Sequence, residues 1–185
     1  MKAACYSPEG RPVIRYFLAN SSIGVISAAV ARFNQNTPLL RFLKRTQIDL
    51  AVVTAGLQTI FRFGDFSARI RAGSQAEYSG DLKNITIFKT PYFGGGMNYG
   101  VQTSHDDGLL RVAAISALNR WSTLALIPAL YRGIILRHSA ASFFSATDLT
   151  IESPTPGLVI EADGEMIGRL PCRYTILPRR LTLVL

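Results

Sequence analysis

Cysteine and histidine are scarce in this 185-residue chain, and the scarcity removes several function classes at once. Its two cysteines, Cys5 and Cys172, stand near opposite ends without metal-ligand spacing. A secreted disulfide scaffold is therefore excluded, and a reducing cytosol is the default. Two histidines, His105 and His138, with no His-x-x-His or Cys-x-x-Cys pair, give no support for a zinc site. Long apolar runs are missing as well: residues 50–61 and 121–131 fall short of the roughly 20 residues that a spanning helix needs. The opening MKAACYSPEGRPVIRYF lacks the apolar stretch of a signal peptide. Zinc-finger, helix-turn-helix and aromatic RNP patterns are absent, so the basic residues read as a solvated face rather than a nucleic-acid interface.

What is present describes a folded domain. The chain is 48% hydrophobic and 17% charged, enough to bury a sizeable core as one generous domain or two small ones. Twenty Lys plus Arg against twelve Asp plus Glu leave a formal charge of +8, and sixteen of the cations are Arg. Such a surface is drawn to phosphate and carboxylate, whether on nucleic acid or on acidic lipid headgroups.

Patterning divides the chain unevenly. Residues 1–12, with Pro8, Gly10 and Pro12, read as an extended lead-in, and 13–20 (VIRYFLAN) as a strand. Residues 23–33 continue without a breaker and predict a helix capped by Ser21 or Ser22. A short helical piece over 39–44 and a longer one over 47–63 follow. After Gly64 alternation takes over, at 67–72 and 83–90, with a further strand at 109–117. A second long helix is expected over 119–137, kinked at Pro128. Strands over 141–145, 149–152, 158–162, 173–177 and 181–185 complete a mainly β, sandwich-like domain with inserted α-helices.

Three short motifs carry possible chemistry. Gly94-Gly95-Gly96 permits positive φ, which suits a bulge or a phosphate-cradling nest, but no helix or Lys-Ser/Thr follows as in a Walker loop. Asp106-Asp107-Gly108 suits an Asx turn and also the carboxylate of a divalent-cation site. Ala162-Asp163-Gly164-Glu165 is a hairpin signal that would mount Glu165 rigidly at the start of the return strand. No partner carboxylate or histidine is identified for it, so a glycosidase pair or hydrolase triad has no support.

Taken in order, these segments resemble the C-terminal domain of the bacterial diacylglycerol kinase and sphingosine kinase-like lipid kinases. The resemblance rests on Arg15 to Asn20 with Ser22-Ile23-Gly24, on Gly94-Gly95-Gly96-Met97, Asp106-Asp107-Gly108-Leu109-Leu110, Arg132-Gly133, Asp163-Gly164-Glu165 and Leu177-Pro178. It runs from Val13 to the end, and it implies a β-sandwich with inserted helices over 13–185. The nucleotide-binding Gly-Gly-Asp-Gly-Thr segment of that family, similar to the one in NAD kinases, is missing here. The chain is thus expected to be the second domain alone, inactive without its nucleotide-binding domain.

For individual residues, the resemblance implies a structural magnesium held by Asp107 and the carbonyls of Ser104 and Leu109, and a general base at Glu165. Val101-Gln102-Thr103 departs from the family's Pro-x-Ala. ATP would be bound mainly by the absent domain, and the partners would be a lipid substrate and a membrane surface, in a cytoplasmic protein working at the inner membrane face. The function implied is transfer of the γ-phosphoryl of ATP to a lipid hydroxyl. The reading from a different class is a stand-alone lipid-binding or scaffold domain.

Overall fold

The computed structural model describes the chain except residues 36, 74, 75, 95, 105, 179 and 181–185; of residues 49, 76 and 77 it describes the backbone only. Twelve strands run in chain order as β1 (Lys2–Tyr6), β2 (Pro12–Tyr16), β3 (Asn20–Gly24), β4 (Phe66–Ala72), β5 (Ala76–Phe88), β6 (Tyr92–Phe93), β7 (Met97–Asn98), β8 (Leu110–Ser116), β9 (Ala141–Ala146), β10 (Asp148–Glu152), β11 (Val159–Ala162) and β12 (Glu165–Thr175). The helices are α1 (Val25–Asn34), α2 (Pro38–Thr46), α3 (Ile48–Arg62), α4 (Arg120–Ala125) and α5 (Ile127–Tyr131).

The large sheet closes on itself. Strands β10, β4, β5, β3, β11 and β12 are paired in that order, and β10 pairs again with β12. Every pairing is antiparallel, so hairpins and bends suffice as connections. β1 and β2 extend the sheet from β12, and β8 and β9 extend it from β5. Strict alternation in β4 puts Phe66, Ala68, Ile70 and Ala72 inward and Ser67, Arg69 and Arg71 outward. The closed interior is filled by Ile23, Ile70, Leu82, Ile85, Leu149 and Ile160, each at most 1% exposed. Burial of such a side chain contributes about 1.5–3 kcal/mol, so this cluster dominates the fold.

Helices cover part of the sheet's outer face. Phe88, Tyr99, Leu126 and Ile135 form one outer cluster, and Leu40, Leu43, Ala51 and Ala55 knit α2 to α3 in another. No helix among the described residues is long and apolar enough to cross a membrane.

Several sequence expectations need correction. Lys2–Tyr6, expected as part of an extended lead-in, is a strand between β2 and β12, with Ala3 and Cys5 packed into the core. Cys5 and Cys172, distant in sequence, are buried free thiols in contact across β1 and β12. The run 13–20 divides, ending β2 at Tyr16 and opening β3 at Asn20. Ser21 and Ser22 are buried in β3 and cap nothing; Gly24 is the N-cap of α1 at φ +113°. A Cβ at Gly24 would lie 2.5 Å from the Lys83 carbonyl oxygen, which is why only glycine fits. The long helix over 119–137 breaks into α4, α5 and a 3-10 turn at Ile135–Arg137. Pro128, in the first turn of α5, lacks the N–H needed to continue α4, and Gly133 turns away at φ +64°. The expected 181–185 strand lies outside the described residues.

Candidate functional site

Asp163-Gly164 turns β11 into β12 with φ of +47° and +90°, the left-handed pair of a tight hairpin. The Asp163 carboxylate accepts three backbone amides from the link between β2 and β3: Leu18 at 2.6 Å, Ala19 at 2.9 Å and Asn20 at 3.0 Å. The Asp163 amide donates in return to the Asn20 carbonyl at 3.0 Å. Asp163 therefore staples the hairpin to the start of β3. Glu165 opens β12 with its side chain exposed, one residue beyond the turn.

The Gly94–Gly96 stretch lies at the tip of the β6–β7 hairpin, where Gly94 and Gly96 both take positive φ. Gly95 is outside the described residues. The turn reading suffices there.

Around Asp107 the structure brings together two of the three residues expected to hold magnesium. The Leu109 amide donates to Asp107 Oδ1 at 3.0 Å. The same oxygen accepts a bond from Lys89 Nζ, and Asp107 Oδ2 accepts one from Arg111. Lys89 Nζ also donates to the Leu109 carbonyl at 3.0 Å. Ser104 gives its hydroxyl to Asp106. Burial would raise the Asp107 pKa, but the bonds and charges of Lys89, the Leu109 amide and Arg111 outweigh it and hold the carboxyl below its ordinary range.

Magnesium requires near-octahedral oxygen ligands at about 2.0–2.1 Å. Here the carboxylate oxygen and the carbonyl that would supply two of them already bind an ammonium. With Lys89 in this position the donor set does not fit the ion.

An apolar cavity lies elsewhere, between the outer face of the sheet and the helices. It has a volume of about 710 Å³ and a largely apolar wall from α1, α3, α4 and α5, including Val30, Phe33, Val53, Leu57 and Leu130. Its floor is polar. The register places Glu161 of β11 beside Ser22 of β3, and Ser22 beside Thr86 of β5. Thr86 Oγ1 accepts bonds from Asn84 Nδ2 at 2.9 Å and Tyr99 Oη at 2.7 Å, and lies 3.2 Å from Ser22 Oγ. Lys83, also on this floor, is paired with Asp65 at 2.5 Å. Tyr99 is stacked between Phe88 and Phe93, and burial pushes its phenol pKa well up.

Glu161 is the outlier. It is 3% exposed; its Oε1 accepts the Gly164 amide at 2.6 Å, and its Oε2 has no hydrogen-bond partner. Burial pushes this carboxyl up to about 7, with the Asp163 charge adding to the effect against the Gly164 amide and Ser22. Asp163 and Gly164 line the cavity with Glu161, whereas Glu165 does not. Sequence reasoning passed over Glu161 and Lys89. The available signal was a lone carboxylate in the apolar run Val159-Ile160-Glu161-Ala162, where a solvated strand would not need Ile160 and Ala162 on both sides.

These features define a class: a closed antiparallel β-domain with an apolar cavity outside the sheet, under inserted helices. The chain belongs to the family described as "YegS C-terminal NAD kinase beta sandwich-like domain", matching it over residues 23–185. A relative named diacylglycerol kinase from Mycobacterium tuberculosis is 26% identical over 127 residues, covering 69% of this chain and 40% of that protein. Two solved structures from Bacillus anthracis overlay on 96% of the chain, with TM-scores of 0.64 at 19% identity and 0.53 at 15% identity. The second of these is described as a diacylglycerol kinase, and the chain covers 53% and 50% of the two. The mainly β fold expected from sequence is the fold found, and the chain spans about half the length of these proteins.

Proposed function

We propose that this domain is the lipid-substrate half of an ATP-dependent lipid kinase, inactive alone and completed by a nucleotide-binding domain. The observation that carries the proposal is the cavity, whose apolar walls suit acyl chains and whose polar end is built from the turn that precedes Glu165. Phosphoryl transfer asks mainly for positioning and charge neutralisation. The nucleotide and its metal would be held by the other domain, while this one positions the lipid hydroxyl. Glu165, held by the sheet just beyond the Asp163 staple, is the proton acceptor in this reading.

The helical face gives the lipid a route of approach. Leu39, Phe42, Ile48, Leu50 and Trp121 are exposed, and Arg41, Lys44, Arg45 and Arg120 lie among them in sequence. Apolar side chains beside cations suit peripheral docking on an anionic membrane. The setting proposed is accordingly the cytoplasmic face of a membrane.

The test joins this domain to a nucleotide-binding domain from a close relative and follows phosphate transfer to diacylglycerol in anionic vesicles. The joined protein should turn over and the isolated chain should not. Glu165→Gln should cut turnover by on the order of 10² or more while lipid binding stays unchanged. Since the cavity is lined by this chain's own residues, a stand-alone lipid-binding domain is the second reading. Lipid binding with no turnover in the joined protein would select it.

A further inference from the structure

The cavity floor holds one open acceptor. Thr86 accepts bonds from Asn84 and Tyr99 and lies against Ser22, Ser22 and the Gly164 amide both support the Glu161 carboxyl, and both Asp163 oxygens are taken by backbone amides. Among the buried side-chain polar atoms of the described residues, Glu161 Oε2 alone has no hydrogen bond, in a residue that is almost wholly buried and lines the cavity. A buried polar atom left unpaired is costly, so natural proteins rarely keep one without a use.

We propose that Glu161 is the hydrogen-bonding anchor of this cavity, accepting the hydroxyl of an uncharged amphiphile at Oε2 while the alkyl chain lies against the helices. This rests on the lipid-cleft reading above and names the atom that recognises the headgroup. The chemistry selects an uncharged alcohol on two grounds. Asp163 stands two residues away, and a second negative charge repels a ligand that already carries phosphate. Lys83, the cation on the same floor, is engaged by Asp65 and leaves no counter-charge for an anion. Burial also disfavours the ionised carboxyl, which weakens the case for an ammonium ligand.

The experiment uses the chain as it stands and measures binding by titration calorimetry, since Trp121, exposed on α4 against Phe61, does not line the cavity. Three probes share one tail: 1-dodecanol, dodecyl methyl ether, which cannot donate, and dodecyl phosphate. Wild type should bind the alcohol about tenfold more tightly than the ether, and the phosphate most weakly. Glu161→Met should bring alcohol and ether to the same affinity. Glu161→Gln keeps Oε1 on the Gly164 amide and turns an N–H toward the cavity, so it should strengthen ether binding specifically. Ether binding without alcohol preference in wild type, or a preference that survives in Glu161→Met, would overturn the anchor and leave the cleft. Binding of neither the alcohol nor the ether to wild type would overturn the cleft reading and the anchor with it.

Discussion

Replacing Glu161 by glutamine should stabilise this protein, and only above mildly acid pH. In the unfolded chain the carboxyl titrates near its ordinary 4.5, and in the folded chain at about 7. Below 4.5 both states hold the proton and the group costs nothing. Between 4.5 and 7 the folded state keeps a proton that the unfolded state has released, so stability falls as pH rises; above 7 the loss is complete and constant. At about 1.4 kcal/mol per pH unit, the interval corresponds to roughly 3 kcal/mol. Residue 161 is almost fully buried, so solvent screens little of this. Glutamine preserves shape and the Gly164 bond and has no proton to lose. Urea unfolding of both proteins at pH 4.5, 6 and 8 should show curves that nearly coincide at the lowest pH and separate by about 3 kcal/mol at the highest. Groups that do not act on residue 161, such as Asp107, are shared by the two proteins and cancel in the comparison. A difference that does not change with pH, or a wild type that is the more stable at pH 8, would refute the reasoning.

Asp107→Ala strips a buried lysine of its carboxylate and should cost about 3 kcal/mol in chemical denaturation, whereas Lys89→Met combined with Asp107→Leu should recover much of that loss. The melting temperature of wild type should not move on adding millimolar magnesium, because Lys89 holds the donors; a rise that vanishes in Asp107→Ala would show that the ion displaces the ammonium. Phe42→Glu, at a side chain 63% exposed on α2, should weaken sedimentation with anionic vesicles several-fold and leave thermal unfolding within about 0.5 kcal/mol of wild type.

Elements whose pattern is set locally were legible in the sequence. β4 alternates because one face meets the core, and α3 matches the apolar stretch that predicted it to within a residue at each end. The misses have tertiary causes. Serines that look like helix caps at 21 and 22 are held in β3 by partners 140 and 64 residues away, Glu161 and Thr86. The 119–137 run looks continuous, yet it must bend over the outer cluster, and Gly133 meets Gly100 where neither can carry a side chain. Strand β1 is too short to announce itself; pairing on both edges, by β2 and β12, makes it a strand. The Asp-Gly hairpin was readable because turn chemistry is local. That its Asp also holds residues 18–20 was not, because the partner lies about 145 residues earlier.

The Asp107 turn shows why a ligand pattern is weaker evidence than it looks. The spacing from 104 to 109 specifies where oxygens fall, and it does not specify which cation meets them. An ammonium with three donors can bridge a carboxylate and a carbonyl much as a metal ion would, and Lys89 does so from the end of β5, 18 residues before the Asp. Arg111 then adds a second positive charge from β8 on the other carboxylate oxygen. One carboxylate facing two cations has no charge left to attract a divalent ion, and a third cation would be repelled by both. The bracing role expected of the ion can thus be filled by two side chains that belong to the fold itself. Because the Asp107 pKa is held low, that brace operates throughout the neutral range and fails only as pH falls through the depressed value, when protonation releases Lys89 and Arg111 together.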